Sequence, residues 1–442
     1  MAKAVRYTRK AAISHAPRPL RSRKGKPMKP SHGQRPPVTR TPTRRESSYH
    51  ARDRRALAPL AGIAAAAIAI GIGFAAFSSP TADDGAVPGA TAPEQPAEPR
   101  VTFVAVGDNL PNEAIGAYAD ACAGEPGDGQ YDYRPLYAPI KPYIEAADLA
   151  YMKEETHLGG DDIGSRGWPS FNVTDTMADA VVDTGFDLVA SASNHSYDWG
   201  YYGAVEHSRS VWNTQPVAFT GTAASQEEAD AIPVVERNGI TFSLLDYTYG
   251  VNGYDQADLP AYAVNYIDEE RIRSDVARAH ELSDVVLVAM HWGTEKLTEA
   301  DEQQQYYAQL LADLDVDVVL GSHPHVIGPL AWVEGASGHR TLVAYSLGNF
   351  LSNHNEPSPT VELEGMLNCT FVKGDEGVRI EDVSWTPLVN HSEDGAHAVY
   401  ALRDYTPDLA ERHVCLRELE DPLGWLAETT RQVVGEEFAI NC

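Results

Sequence analysis

The stretch VVLGSHPHVIGP, Val318 to Pro329, carries two histidines one residue apart directly after an apolar run. Pro324 disfavours helix at His323 and pushes it towards extended backbone. In an extended segment residues i and i+2 point the same way. The expectation is a strand that ends on His-Pro-His with both imidazoles facing one point, where a metal or a phosphate would sit.

Other candidate strands end in the same kind of residue. RVTFVAVGDN runs from Arg100 into Asp108, and ADLAYMKEET reaches Glu154 and Glu155. FDLVASASNHSYDWG leads into Asn194, His195 and Asp198, and SDVVLVAMHWGTE ends at His291. Helix-like segments lie between them, at 174–184, 268–282 and 299–314, which reads as α/β. The turn Arg237 to Gly239 joins two further strands, and 341–346, 361–372 and 378–387 read as a β-rich second half. In open α/β sheets ligands gather beyond the carboxyl ends of the strands. Any one of these residues has a simpler explanation as a turn cap or a core histidine. Five consecutive strands delivering carboxylates, an amide and imidazoles at the same end point instead to a site for Zn, Mn or Fe. Adjacent strand residues face opposite ways, so only one of Glu154 and Glu155 is expected to be a ligand.

Charge divides the chain. Residues 1–55 hold 17 Lys and Arg against Glu46 and Asp53, a balance of +15; the whole chain is −28, so the remainder carries −43. Between these parts lie 22 uncharged residues, Ala56 to Phe77. As a helix they would span roughly 33 Å, enough for a bilayer core. The basic flank predicts an uncleaved single-pass anchor, with a disordered cytoplasmic tail (1–55) and everything after residue 77 outside the cell membrane. The tail is expected to meet anionic lipid rather than nucleic acid. Residues 78–99 read as a Pro/Ala-rich linker, 100–390 as the main domain and 391–442 as a C-terminal extension. Four cysteines on the oxidising side allow three full pairings; Cys415 with Cys442 is the expected one, because both fall in the extension.

GDN, DLAYMKEET, SNHSYDWG, HWGTE, GSHPHV and YSLGNF follow one another as in the CapA family of poly-γ-glutamate capsule-biosynthesis proteins, which the chain resembles from Val101 to Pro387. That family is similar to the calcineurin-like metallophosphoesterases. The resemblance implies a four-layer α/β/β/α sandwich with one or two divalent metal ions. It assigns Asp108 and His325 to a first metal, Asn194, His291 and His323 to a second, and Glu155 between them. It makes His195 the catalytic group, bonding a phosphate and protonating the leaving oxygen. It further implies a metal-dependent hydrolase acting on a cell-envelope or capsule polymer, or alternatively a non-catalytic scaffold among polyglutamate synthase membrane subunits. A polyanionic polymer sits awkwardly beside a domain of −43. Leu110 stands where the phosphoesterase pattern has a histidine, which leaves the first metal site one ligand short, and Lys153 precedes the acidic pair. His157 and His354 are expected at the surface, Asn349 in a structural role, and Trp168 to Asn172 in packing or along a cleft.

Overall fold

The strands are apolar on both faces, and the packing shows why. In the strand starting at Arg100, Val101, Phe103 and Ala105 enter one core while Val104 and Val106 enter another. In the strand ending at His291, Val285, Leu287 and Ala289 enter the first core and Val286, Val288 and Met290 a third. Only a sheet covered on both sides accepts such sequences.

This is a computed structural model that describes residues 98–442. The basic tail, the apolar segment 56–77 and the linker up to 97 lie outside the described residues. Among the described residues, no helix is long and apolar enough to cross a membrane.

The chain first lays down β1 (Arg100–Leu110), β2 (Leu149–Glu154), β3 (Leu188–Ala190) and β4 (Ala218–Thr220). It then builds a second sheet from β5 (Val234–Arg237), β6 (Ile240–Thr248), β7 (Val285–His291), β8 (Val318–Ser322), β9 (Leu330–Glu334) and β10 (Arg340–Ala344). It returns to the first sheet with β11 (Asn349–Ser352), β12 (Leu363–Gly374), β13 (Gly377–Glu393), β14 (Ala396–Ala401) and β15 (Ala439–Ile440). The first sheet runs β14-β13-β12-β1-β2-β3-β4, with β11 on β1 and β15 on β13; the second runs β5-β6-β7-β8-β10-β9.

Residues of both sheets share the central core, where Phe242 of β6 meets Phe371 of β12 at 5.1 Å between ring centroids. The helices Glu113–Ala123 and Thr176–Thr184 cover the outer face of the first sheet through Ile115, Ala119, Met177 and Val181. The helices Glu269–Leu282 and Glu302–Asp313 cover the second through Ile272, Val276, Ala308 and Leu311. The layers are therefore α/β/β/α. Strands β1 to β4 are mutually parallel, as are β6, β7 and β8, so each sheet gathers its carboxyl ends on one edge.

The C-terminal part differs from expectation. Position 390 falls inside β13, and residues 391–442 supply β14, β15 and helices whose Leu426 and Val434 join the central core. The polar run Asn390, His391, Ser392 hides the strand from an apolar reading, yet all three are buried and Asn390 bonds Ser352 O at 2.8 Å. The expected Cys415–Cys442 bridge is absent, since all four cysteines are free. Val414 bonds Ser392, whereas Ile440 pairs with Trp385, seven residues back along the same strand. That separation is roughly 20 Å at a strand rise of about 3.3 Å per residue, far beyond disulfide reach.

Candidate metal centre

Each strand end delivers its residue by a local device. Gly107 brings β1 against β11 so closely that a Cβ there would lie 1.9 Å from Gly348 O, and the register shifts between Val106 and Asp108. Asp108 Oδ2 then accepts the backbone N–H of His323 at 2.9 Å. At the end of β2 the two glutamates part. Glu154 accepts from Trp212 Nε1 at 2.9 Å, while Glu155 lies 3.7 Å from both His291 Nε2 and His325 Nδ1. Lys153 is turned to Asp246 of β6 at 2.7 Å and to Ala192 O at 2.5 Å, so its charge is already matched. The loop after β3 carries Asn194, whose Oδ1 is 2.8 Å from His291 Nε2.

The His-Pro-His turn departs from its sequence reading. Strand β8 stops at Ser322, and His323 and His325 take positive φ values of 93° and 58°. Their convergence comes from a left-handed turn, a conformation costly for a histidine and held only by surrounding contacts, and not from extended backbone. One is the His323 N–H to Asp108; another is Lys296 N–H to Pro324 O at 2.7 Å.

Asp108, Glu155, His291, His323 and His325 are all buried. Burial raises the Asp108 carboxyl to about 7 against the pull of the His323 N–H, and raises Glu155 well above the usual range, helped by the charge of Asp108. Burial depresses His323 to about 4, and His291 and His325 well below the ordinary imidazole value, helped by neighbouring imidazoles. Asp108 Oδ1, both Glu155 oxygens and His323 Nδ1 have no hydrogen-bond partner. Unpaired buried acceptors are expensive. Glu155, His323 and His325 can each place one ligand atom within 4.8 Å of the others. Buried carboxylates beside neutral imidazoles are a donor set that fits a divalent cation.

His195 stands at the mouth. Its Nδ1 donates to Asp198 Oδ2 at 2.7 Å, and the same oxygen accepts the Phe171 N–H at 2.7 Å. His195, Phe171, Trp168, His325 and His354 line a cavity of about 390 Å³. Leu110 lines it too, as an apolar side chain. Trp168 to Asn172 therefore does border a cleft. His354 is half-buried with its ring 5.7 Å from His325, whereas His157, expected at the surface, is buried with neither ring nitrogen bonded. Asn349 takes the structural role expected of it, as a support of the cluster, and Ser322 is a further support that the sequence reading did not single out. Ser322 Oγ is 2.9 Å from His291 Nδ1, and Asn349 Oδ1 is 2.9 Å from His325 Nδ1. The signal for Asn349 was YSLGNF, which sets it opposite Asp108 in the β1–β11 pair.

Fold and site together define an α/β/β/α sandwich with a buried carboxylate–imidazole cluster at its strand ends. Residues 102–354 match the family described as "Bacterial capsule synthesis protein PGA_cap", and the chain belongs to that family. It is 29% identical over 170 residues to the PGA biosynthesis protein CapA of Bacillus subtilis (strain 168), covering 38% of this chain and 43% of that protein. It is 23% identical over 177 residues to the capsule biosynthesis protein CapA of Bacillus anthracis, covering 39% and 41%. The match thus spans less than half the length of either relative. Among solved structures, Haemophilus influenzae NAD nucleotidase (NadN) aligns at TM-score 0.39 and 10% identity, over 75% of this chain and 67% of that one. The calcineurin-like phosphoesterase YfkN of Bacillus subtilis aligns at TM-score 0.37 and 11% identity, over 76% and 97%.

Proposed function

We propose that this member of the capsule synthesis family is a metal-dependent hydrolase of phosphoesterase type, acting on a cell-envelope or capsule polymer. The observation that carries it is the pair of buried carboxylates, Asp108 and Glu155, with three unbonded oxygens turned among neutral imidazoles. Asp108, Glu155, Asn194, His291, His323 and His325 would hold one or two divalent ions, Mn, Zn or Fe. Such an ion, when bound, polarises a phosphoryl oxygen and lowers the pKa of water. The chain's own residues do the rest. Asp198 fixes the His195 ring through Nδ1, leaving Nε2 to pass a proton to a leaving oxygen. Trp168, Phe171 and His354 wall the cavity in which that oxygen would lie.

In this reading the apolar segment 56–77 anchors the chain in the cell membrane, tail inside and catalytic domain outside, beside polyglutamate synthase membrane subunits. Its support is the charge asymmetry of the sequence. The test is metal analysis of the purified chain paired with turnover of bis(p-nitrophenyl) phosphate. At least one equivalent of transition metal and chelator-sensitive turnover are expected. A chain that takes up no metal from excess leaves the non-catalytic scaffold in its place.

A further inference from the structure

Nine large apolar side chains are exposed among the described residues, and five are aromatics from three segments: Trp168, Trp199 with Tyr202, and Tyr249 with Tyr254; Trp168, Tyr249 and Tyr254 line the cavities at the site. Trp168 is 66% exposed. It is not on a loose tail: Arg166 and Asn172 exchange backbone hydrogen bonds at 2.9 and 3.1 Å, closing a short loop beneath it. The Phe171 N–H to Asp198 bond ties that loop to His195. A constrained loop that holds an indole in water marks a contact surface.

The cavity holding His195 and His325 has a neighbour of about 430 Å³, and Trp168 and Glu295 line both. The neighbour is lined further by Asn194, Asp198, Tyr249 and Tyr254, and among its described lining residues there is no Lys or Arg. In the first cavity the lining cation is Lys296, and it is paired with Glu356. The two cavities adjoin at Trp168 and Glu295, and carboxylates and amides such as Asp198, Asn194, Asn252 and Asn353 line them.

This composition selects a ligand chemistry. A pyranose ring has an apolar face of C–H groups that lies flat on an aromatic ring, and a rim of hydroxyls that carboxylate and amide side chains bond edge-on. A polyglutamate strand offers neither face and would bring carboxylates against Glu295 and Asp198 in a strongly acidic domain. We propose that the two adjoining cavities bind a carbohydrate strand, its sugar rings stacked on Trp168 and Tyr254 and the strand passing His195 and His325. This takes from the proposed function the location of the site alone.

Calorimetric titration of the full chain with cellohexaose, N-acetylchitohexaose and poly-γ-glutamate tests it, with chelator present so that no turnover is needed. At least one hexasaccharide should bind saturably while poly-γ-glutamate does not. Trp168→Ala should weaken that binding about tenfold, and Trp168→Tyr should restore most of it. Saturable binding of poly-γ-glutamate alone, binding of none of the three, or a Trp168→Ala variant equal to wild type would overturn the proposal. Absence of phosphodiester turnover would strike the proposed function and leave this binding result standing.

Discussion

The described residues contain two clusters of buried histidines, and they are built differently. At the strand ends His291, His323 and His325 surround Asp108 and Glu155, three of whose oxygens have no hydrogen-bond partner. In the C-terminal part His391, His397 and His413 also lie close, the rings of His391 and His413 being 5.5 Å apart. There, however, His391 Nδ1 is taken by Tyr405 Oη at 2.6 Å and His413 Nε2 by Asn390 O at 3.1 Å. His413 Nδ1 accepts the Cys415 and Leu416 N–H groups, and the nearby Glu393 is neutralised by Arg412. Histidine density alone does not make a metal centre. Buried carboxylate oxygens without a hydrogen-bond partner, beside neutral imidazoles, are the donor set that suits a divalent cation.

The largest expected effect breaks the comparison if it fails. His323→Ala or Asp108→Asn should abolish retention of divalent metal after dialysis, read by elemental analysis, whereas His413→Ala should leave metal content unchanged. Loss of metal in His413→Ala would make the C-terminal cluster the true centre.

Within the strand-end cluster, binding and chemistry should separate. His195→Ala keeps every proposed ligand, so metal content should stay while phosphodiester turnover falls by roughly 10²–10⁴. A variant that loses both would place His195 among the ligands.

The C-terminal cluster should declare itself through stability. His397 is buried with neither ring nitrogen bonded, and burial lowers its pKa from 6.5 to about 4. The unfolded chain therefore binds more protons between those values, and stability falls as pH drops from about 6.5 towards about 4. The loss is about 2 kcal/mol by pH 5. His397→Leu should remove that part of the slope, measured as the difference in urea midpoints at pH 7 and pH 5. Equal slopes for variant and wild type would show that the fold does not depress the His397 pKa.

A smaller effect sharpens the contrast in supporting shells. Asn349→Ala frees the His325 ring and should weaken metal affinity about 10–100-fold. Tyr405→Phe, the equivalent change beside His391, should leave affinity unaltered, as read by competition with a coloured chelator.

The sequence alone determined which residues stand at the strand ends, and a local rule is enough for that. A strand's side-chain period and its apolar run are set by consecutive residues, so the exits at Asp108, Glu155, Asn194, His291 and His323 could be read directly. The same alternation explains why only one of Glu154 and Glu155 enters the site. The choice of Glu155 came from the likeness to a family, and the alternate side of Glu154 is seen in its bond to Trp212. Tertiary structure decided what depends on distant partners. The left-handed backbone at His323 and His325 is held by Asp108 and by the Lys296 N–H, contacts with no local signature. Polar Asn390 could end a strand or continue one, and its bonds to Ser352 and Glu362 chose the second. Cys415 and Cys442, neighbours by segment, are held apart along β13 by what each segment pairs with. Trp168, too, could have been core or surface; a short loop closed by backbone bonds keeps it in water, because a side chain's burial is fixed by what the rest of the chain brings to it.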